Sequence, residues 1–298
     1  MRGEERGPER QPELKDMVAL WLLRLAKLGR RRFPDHEGED EFYDHFFQEK
    51  DHRAYREDPR MVVRRNVVNS FLERHVSAGA TVVDVGCGLG DVLAGIDSKY
   101  ARFGVEISRR SARVAARGLG EGTRVVRGQA NRLPFAPEKV DVCLCLEVLE
   151  HLKDEESALR EVHRVLRRGG WLIASVPYTY YWDDYLKLIG HYRHYTRRSF
   201  QLILERAGFG VERFLPNYPE WHQAFTRRYA VARGLHLVTR PVLGQATVYE
   251  LRWPWSDQTI LEAVRRRLEP KRRLEEEKEK DYTSADTSTF VAARKRTT

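Results

Sequence analysis

Residues 84–91 read Asp84-Val85-Gly86-Cys87-Gly88-Leu89-Gly90-Asp91. Glycine at every second position lets a main chain come close to a ligand, and the apolar run Thr81 to Val85 reads as a strand that delivers this loop to the carboxyl edge of a sheet. A dinucleotide fingerprint needs G-x-G-x-x-G, whereas here the third glycine comes one position early and Asp91 stands where that pattern has a small residue. The next apolar run ends at Glu106, at a spacing from which a carboxylate accepts hydrogen bonds from ribose hydroxyls. Loop and carboxylate together indicate an adenosine ligand with no pyrophosphate to hold.

A second set of chemical groups follows. Glu147, Glu150 and His151 share one short turn after the run Val140 to Leu146, and Gly190-His191-Tyr192-Arg193-His194-Tyr195-Thr196 comes after the run Trp171 to Val176. Glu147, Glu150 and His151, joined by a histidine of the later loop, are an oxygen-and-nitrogen donor set for a divalent metal. In the plainer reading the two glutamates cap or pair with nearby helices and His151 packs under the glycine loop. His194 is the first candidate for a general base, because imidazole titrates near neutral pH, and His191 is the second. Equally, this loop need only lead into a helix capped by Thr196 and ended by Gly208. Tyr178, Tyr180, Tyr181 and Trp182 form either an aromatic wall for an acceptor or packing beneath a lid.

Strands and helices must position these groups. Thr81 to Val85, Phe103 to Ile107, Arg124 to Val126, Val140 to Leu146, Trp171 to Val176, Val211 to Leu215 and Thr289 to Ala293 read as strands. Helices are expected between them: Met61 to about His75 with Val63, Val67 and Phe71 on its buried side, and Glu155 to Arg168 stopped by Gly169 and Gly170. The alternation predicts an α/β fold, a doubly wound, seven-stranded, mostly parallel sheet with helices on both faces. Four parts follow: a tail and helical cap over 1–59, a core over 60–215, an insertion over 216–288, and a last strand with tail over 289–298. In the cap, Leu14, Met17, Val18, Trp21, Leu22, Leu25 and Leu28 mark an amphipathic helix that either docks on the core or lies on an anionic membrane surface.

These pieces resemble the class I S-adenosylmethionine-dependent methyltransferases of the ubiquinone-biosynthesis-like branch. Val82 to Gly90 is similar to the family's first motif and Gly104-Val105-Glu106-Ile107-Ser108 to its second. Gly128 to Phe135, Val140 to His151 and Arg167 to Ile173 are similar to the segment after strand three, to strand four with its loop, and to the entry into strand five. The resemblance implies a Rossmann-like fold and S-adenosylmethionine as cofactor. Gly86, Gly88 and Gly90 would lie under the methionine moiety, Asp84 near its amino group, and Glu106 at the ribose. Gln129 stands where the family usually has an Asp facing the adenine amino group, and its amide oxygen accepts that bond without the charge. Ala130 would offer its amide to the ring and Leu146 its carbonyl to the methionine end. The E-x-x-E-H turn resembles two metal-dependent branches, the ubiquinone-type and the small-RNA terminal 2′-O-methyltransferases.

Charge and composition bound the rest. The 298-residue chain has net charge +9, and 21 basic against 13 acidic side chains lie after residue 190, so a uniformly basic nucleic-acid coat is excluded. Three cysteines make no disulfide scaffold, no apolar run approaches the roughly 20 residues of a spanning helix, and the charged N-terminus does not read as a signal peptide. A cytoplasmic location, with peripheral contact to a membrane, is expected. The insertion carries Trp221, Trp253 and Trp255 with Arg227, Arg228, Arg233, Arg240 and Arg252, an aromatic and basic lid suited to an anionic acceptor. The resulting expectation is an O-methyltransferase acting on a small or lipid-linked metabolite such as a quinone precursor, polyketide or glycan intermediate. Two alternatives stand beside it: an RNA 2′-O-methyltransferase using the basic final third, and a non-catalytic partner protein that binds S-adenosylmethionine.

Overall fold

In the computed structural model of the chain, residues 43–44, 59–177, 191–215 and 288–296 are described. The expected helix from Leu14, the aromatics Tyr178 to Trp182 and the insertion up to residue 287 lie outside the described residues.

A helix, α1 (Pro59–His75), precedes β1 (Thr81–Val85), the glycine turn and the short α2 (Asp91–Ala94). The chain continues through β2 (Ala101–Glu106), α3 (Arg109–Gly118), β3 (Thr123–Arg127) and β4 (Val140–Leu146). A 3₁₀ turn (Leu149–His151), α4 (Glu155–Val165), β5 (Leu166–Pro177), α5 (Arg197–Arg206), β6 (Phe209–Leu215) and β7 (Ser288–Lys295) complete it. The seven strands form one sheet in the order β3-β2-β1-β4-β5-β7-β6. Strands β1 to β5 pair in parallel, and β7 runs antiparallel between β5 and β6. The expected seven-stranded doubly wound sheet is therefore what forms.

Side chains alternating along the strands build two cores. Val83, Cys143, Cys145, Leu172, Ala174 and Val291 pack with Leu159 and Val162 of α4 and with Phe200 and Leu204 of α5. Val82, Val142, Leu144, Ile173 and Ala292 pack on the other face with Val67, Val68, Phe71 and Leu72 of α1 and Leu93 of α2. Burial on both faces is why these strands read as continuous apolar runs, as parallel strands do. Cys143 and Cys145 share a face, as their spacing requires, and both are buried free thiols.

One helix ends earlier than its sequence suggests. α4 stops at Val165, and Leu166 already lies in β5, paired with Val140 and fully buried. Burying Leu166 outweighs the helix propensity of Arg167 and Arg168, whose charges pair with Asp141 and Glu138. The later helix begins as expected: Thr196 and Ser199 form a reciprocal capping box at the start of α5.

α1 is fastened to the sheet by Phe71, which is completely buried and meets the Trp171 ring edge to face at 4.9 Å. Phe71→Ala is expected to destabilise the fold by about 3 to 5 kcal/mol, the cost of an unfilled aromatic site. Denaturant unfolding checks this, and a loss below about 1 kcal/mol would show that α1 is not part of the cooperative core.

Candidate functional site

The strand order reverses between β1 and β4, and a doubly wound sheet has its natural crevice at the carboxyl ends of such a pair. Two turns meet there. The glycine turn packs so closely on the turn after β4 that a Cβ on Gly86, whose φ is +73°, would lie 2.6 Å from Val148 Cγ2. Any side chain at 86 would force the turns apart. Gly88 donates its amide to Glu106 Oε2 at 2.8 Å, and Ser108 donates its amide to Glu106 Oε1 at 2.8 Å. Glu106 is thus locked at the end of β2, with further lone pairs for a ligand's hydroxyls. At the end of β3, Gly128 donates to the Glu106 carbonyl, which brings Gln129 and Ala130 beside the same edge. Gln129 is exposed and Leu146 is buried.

Asp84, Glu106 and Glu150 are each less than 5% exposed. Burial pushes the Asp84 carboxyl up to about 8; the Glu106 charge adds to this, and Arg64 opposes it. Burial also raises Glu106, against the hydrogen bonds from the Ser108 and Gly88 amides. Glu150 is driven well above the usual carboxylate range by burial and then by Glu147, with Arg64 again opposing. A pocket built of desolvated carboxyls favours a cationic ligand, because a positive charge restores what water no longer supplies.

Across the crevice, Tyr192 donates its amide to the Glu150 carbonyl at 2.8 Å, and Arg193 donates to the carbonyls of Leu152 and Lys153. The loop carrying His191 and His194 is thereby docked on the turn after β4. The His191 ring meets His151 edge to face at 4.3 Å, and His191 Nδ1 lies 2.7 Å from His194 Nε2, so that one nitrogen donates and the other accepts. Burial, with the charges of His151 and His194 adding to it, pushes His191 down to about 2 and keeps its ring neutral. Neither oxygen of the buried Glu150 has a hydrogen-bond partner among the described residues, and His151 Nε2 is 3.8 Å away.

The expected metal set is rearranged. Glu150 and His151 converge with His191, one ligand atom from each lying within 4.8 Å of the others. Glu147 is turned away: its backbone is left-handed at φ +57°, Oε1 accepts from Ser175 Oγ at 2.9 Å, and Oε2 lies 3.3 Å from Arg64. Spacing alone could not show this, because one residue in the left-handed region changes where the side chain points.

Three residues at this edge escape the sequence reading. Tyr43 meets the His151 ring edge to face at 5.6 Å, and Asp44 accepts hydrogen bonds from Ser108 Oγ and the Arg110 amide. Segment 43–44 thus touches both the histidine turn and the start of α3. Arg64 projects from α1 on the same side as Met61, Val68 and Phe71, and a cation within an apolar stripe was the signal that could have marked it.

Residues 83–174 match the family described as a methyltransferase domain, and the chain is similar to methyltransferases. It is 29% identical over 224 residues to Methyltransferase GfsG of Streptomyces halstedii, covering 67% of this chain and 77% of that one. It is 33% identical over 114 residues to the ubiquinone biosynthesis O-methyltransferase of Chromobacterium violaceum, covering 35% of this chain and 48% of that one, about half the relative's length. Its fold is similar to that of a candidate sarcosine dimethylglycine methyltransferase from Galdieria sulphuraria, with TM-score 0.54 and 15% identity, covering 79% of this chain and 86% of that one.

Glu106→Ala is expected to weaken binding of S-adenosylhomocysteine by about 1 to 3 kcal/mol, the scale of lost charge-assisted hydrogen bonds. Calorimetry that finds equal affinities would remove Glu106 from the ribose site. Asp84 supplies a second expectation. A carboxyl whose pKa is higher in the folded chain than in the unfolded one weakens the fold as pH rises between the two values, here from about 4 towards 8. Asp84→Asn should therefore melt above the parent at pH 8 and lose most of that advantage by pH 5. A difference in melting temperature independent of pH would contradict the burial argument.

Proposed function

We propose that this chain methylates a hydroxyl oxygen of a small or lipid-linked acceptor of anionic character, in the reducing environment of the cytoplasm. The observation that carries the reading is the docking of the His191–His194 loop on the turn after β4, which sets a pair of imidazoles beside the cofactor crevice. The relationship to O-methyltransferases named for ubiquinone biosynthesis supports oxygen as the reacting atom. The basic surplus after residue 190 supports an acceptor with negative charge.

S-adenosylmethionine, when bound, supplies a methyl group already activated on a sulfonium. The residues present fit it: Glu106 is oriented by two amides with lone pairs to spare, and Asp84 offers a carboxyl to an ammonium. The chain's own work is alignment and proton removal. His194 takes the acceptor's hydroxyl proton as the oxygen attacks. His191, held neutral by burial, orients His194 through their shared hydrogen bond. Contact of Tyr43 with His151 and of Asp44 with α3 covers the edge and limits water.

A second reading of the same cluster rests on the buried Glu150 carboxyl, which has no hydrogen-bond partner among the described residues. Glu150, His151 and His191 offer a carboxylate and two imidazoles, a set suited to a divalent transition ion that would acidify the acceptor hydroxyl directly.

A screen of hydroxylated acceptors with labelled methyl donor identifies the substrate. On that substrate His194→Ala is expected to lower kcat by about 10² to 10⁴ while leaving S-adenosylhomocysteine affinity intact; an unchanged kcat removes the base assignment. Chelation separates the two readings. Activity indifferent to chelator eliminates the metal, whereas loss restored by Zn²⁺ or Mn²⁺ replaces the base reading with it. Tight, steeply salt-dependent RNA binding would instead favour a nucleic-acid acceptor.

A further inference from the structure

One edge of the sheet carries a charge pattern that the crevice does not use. Residues 107–132 hold seven arginines, one glutamate and no aromatic side chain. Arg109, Arg110, Arg113 and Arg117 are exposed on α3, and Arg124 and Arg127 are exposed on β3. Arg132 is exposed in the loop that follows. β3 is the edge strand and α3 packs on β2 and β3, so these side chains share one rim of the sheet.

The pattern works against the helix that bears most of it. A helix N-terminus is positive and disfavours cations, yet Arg109 and Arg110 open α3, and no acidic residue lies in its first turn. Arg109, Arg113 and Arg117 stand at i, i+4 and i+8, where like charges repel. None of the four α3 arginines, nor Arg124 or Arg132, forms an ion pair among the described residues. Asp44 accepts from the Arg110 amide, which answers the helix start and leaves the guanidiniums exposed. Charges on an edge strand deter strand-to-strand association, and that accounts for Arg124 and Arg127. It does not account for four arginines on a helix.

Guanidiniums spread over a rim suit an array of phosphates, because the planar fork takes a phosphate with two hydrogen bonds and never loses its charge. An anionic bilayer presents such an array across a plane and can engage helix, strand and loop together. Val126, between Arg124 and Arg127, is 41% exposed, an apolar side chain that a bilayer interface takes up and a phosphodiester backbone does not. Single-stranded nucleic acid is held by stacking on aromatic rings, and residues 107–132 have none. We propose that the rim formed by α3, β3 and the loop after β3 docks this chain on a membrane surface rich in anionic phospholipid. Arg109 and Arg110 follow the carboxyl end of β2, and Arg127 ends β3, so the rim adjoins the edge on which the crevice opens. Docking brings that edge to the interface where a lipid-linked acceptor lies. The docking is independent of the methyl-transfer reading; delivery of such an acceptor rests on it.

Vesicle co-sedimentation of the full chain, without cofactor or acceptor, tests the contact. The chain is expected to bind phosphatidylcholine vesicles that contain phosphatidylglycerol, to ignore phosphatidylcholine alone, and to dissociate as salt rises. Arg113→Gln combined with Arg117→Gln should lower the partition coefficient about 10- to 30-fold, and the corresponding lysine pair less than about threefold. The glutamine pair should melt no lower than the parent, because it relieves repulsion along α3. If the pair does not fold, each single glutamine variant, expected to lose about fivefold, carries the same test. Binding by the glutamine variants equal to the parent's overturns the assignment of the rim. Equal binding to both kinds of vesicle overturns the electrostatic contact. A parent that ignores anionic vesicles and binds duplex RNA gives the rim to nucleic acid and overturns the proposal as well. A parent that docks but does not bind S-adenosylhomocysteine leaves the docking in place and overturns the methyl-donor reading.

Discussion

Carboxyl groups held out of water at one edge of a sheet are the constraint on which this structure turns. Asp84, Glu106 and Glu150 are buried, and Glu147 is nearly so. Each would rather be solvated, and the fold keeps them only because two apolar cores clamp the strands that carry them. The four are answered differently. Glu106 is met by backbone amides, Glu147 by a hydroxyl and a guanidinium, Asp84 by distant charge, and Glu150 by no hydrogen bond among the described residues. Satisfied groups set shape, and unsatisfied ones set affinity for a cation.

The sheet was legible in the sequence because burial on both faces writes itself as uninterrupted apolar runs, and the glycine turn and Glu106 were legible because their spacing is fixed by backbone geometry. The exceptions have physical causes. The end of α4 at Val165 depends on what Leu166 touches, and no local propensity contains that. The absence of Glu147 from the cluster that Glu150 and His151 form with His191 goes with a single left-handed residue. Tyr43, Asp44 and Arg64 reach the site from segments remote in sequence, so their roles appear only once the chain has closed on itself.

The site also divides into parts of different rigidity. On the donor side, main-chain amides and close-packed glycines allow little adjustment, as a cofactor of fixed shape permits. On the other side, the imidazoles meet side chain to side chain, through the ring contact of His191 with His151 and the hydrogen bond between His191 and His194.

β7 has a consequence of another kind. It lies between β5 and β6, yet it follows both in the chain, β6 ending at Leu215 and β7 beginning at Ser288. During synthesis β5 and β6 must wait as open edges while the intervening segment is made, since neither pairs with the other. The nascent chain therefore keeps these edges open until β7 is available, and the ribosome, rather than the test tube, is where this arrangement is most exposed.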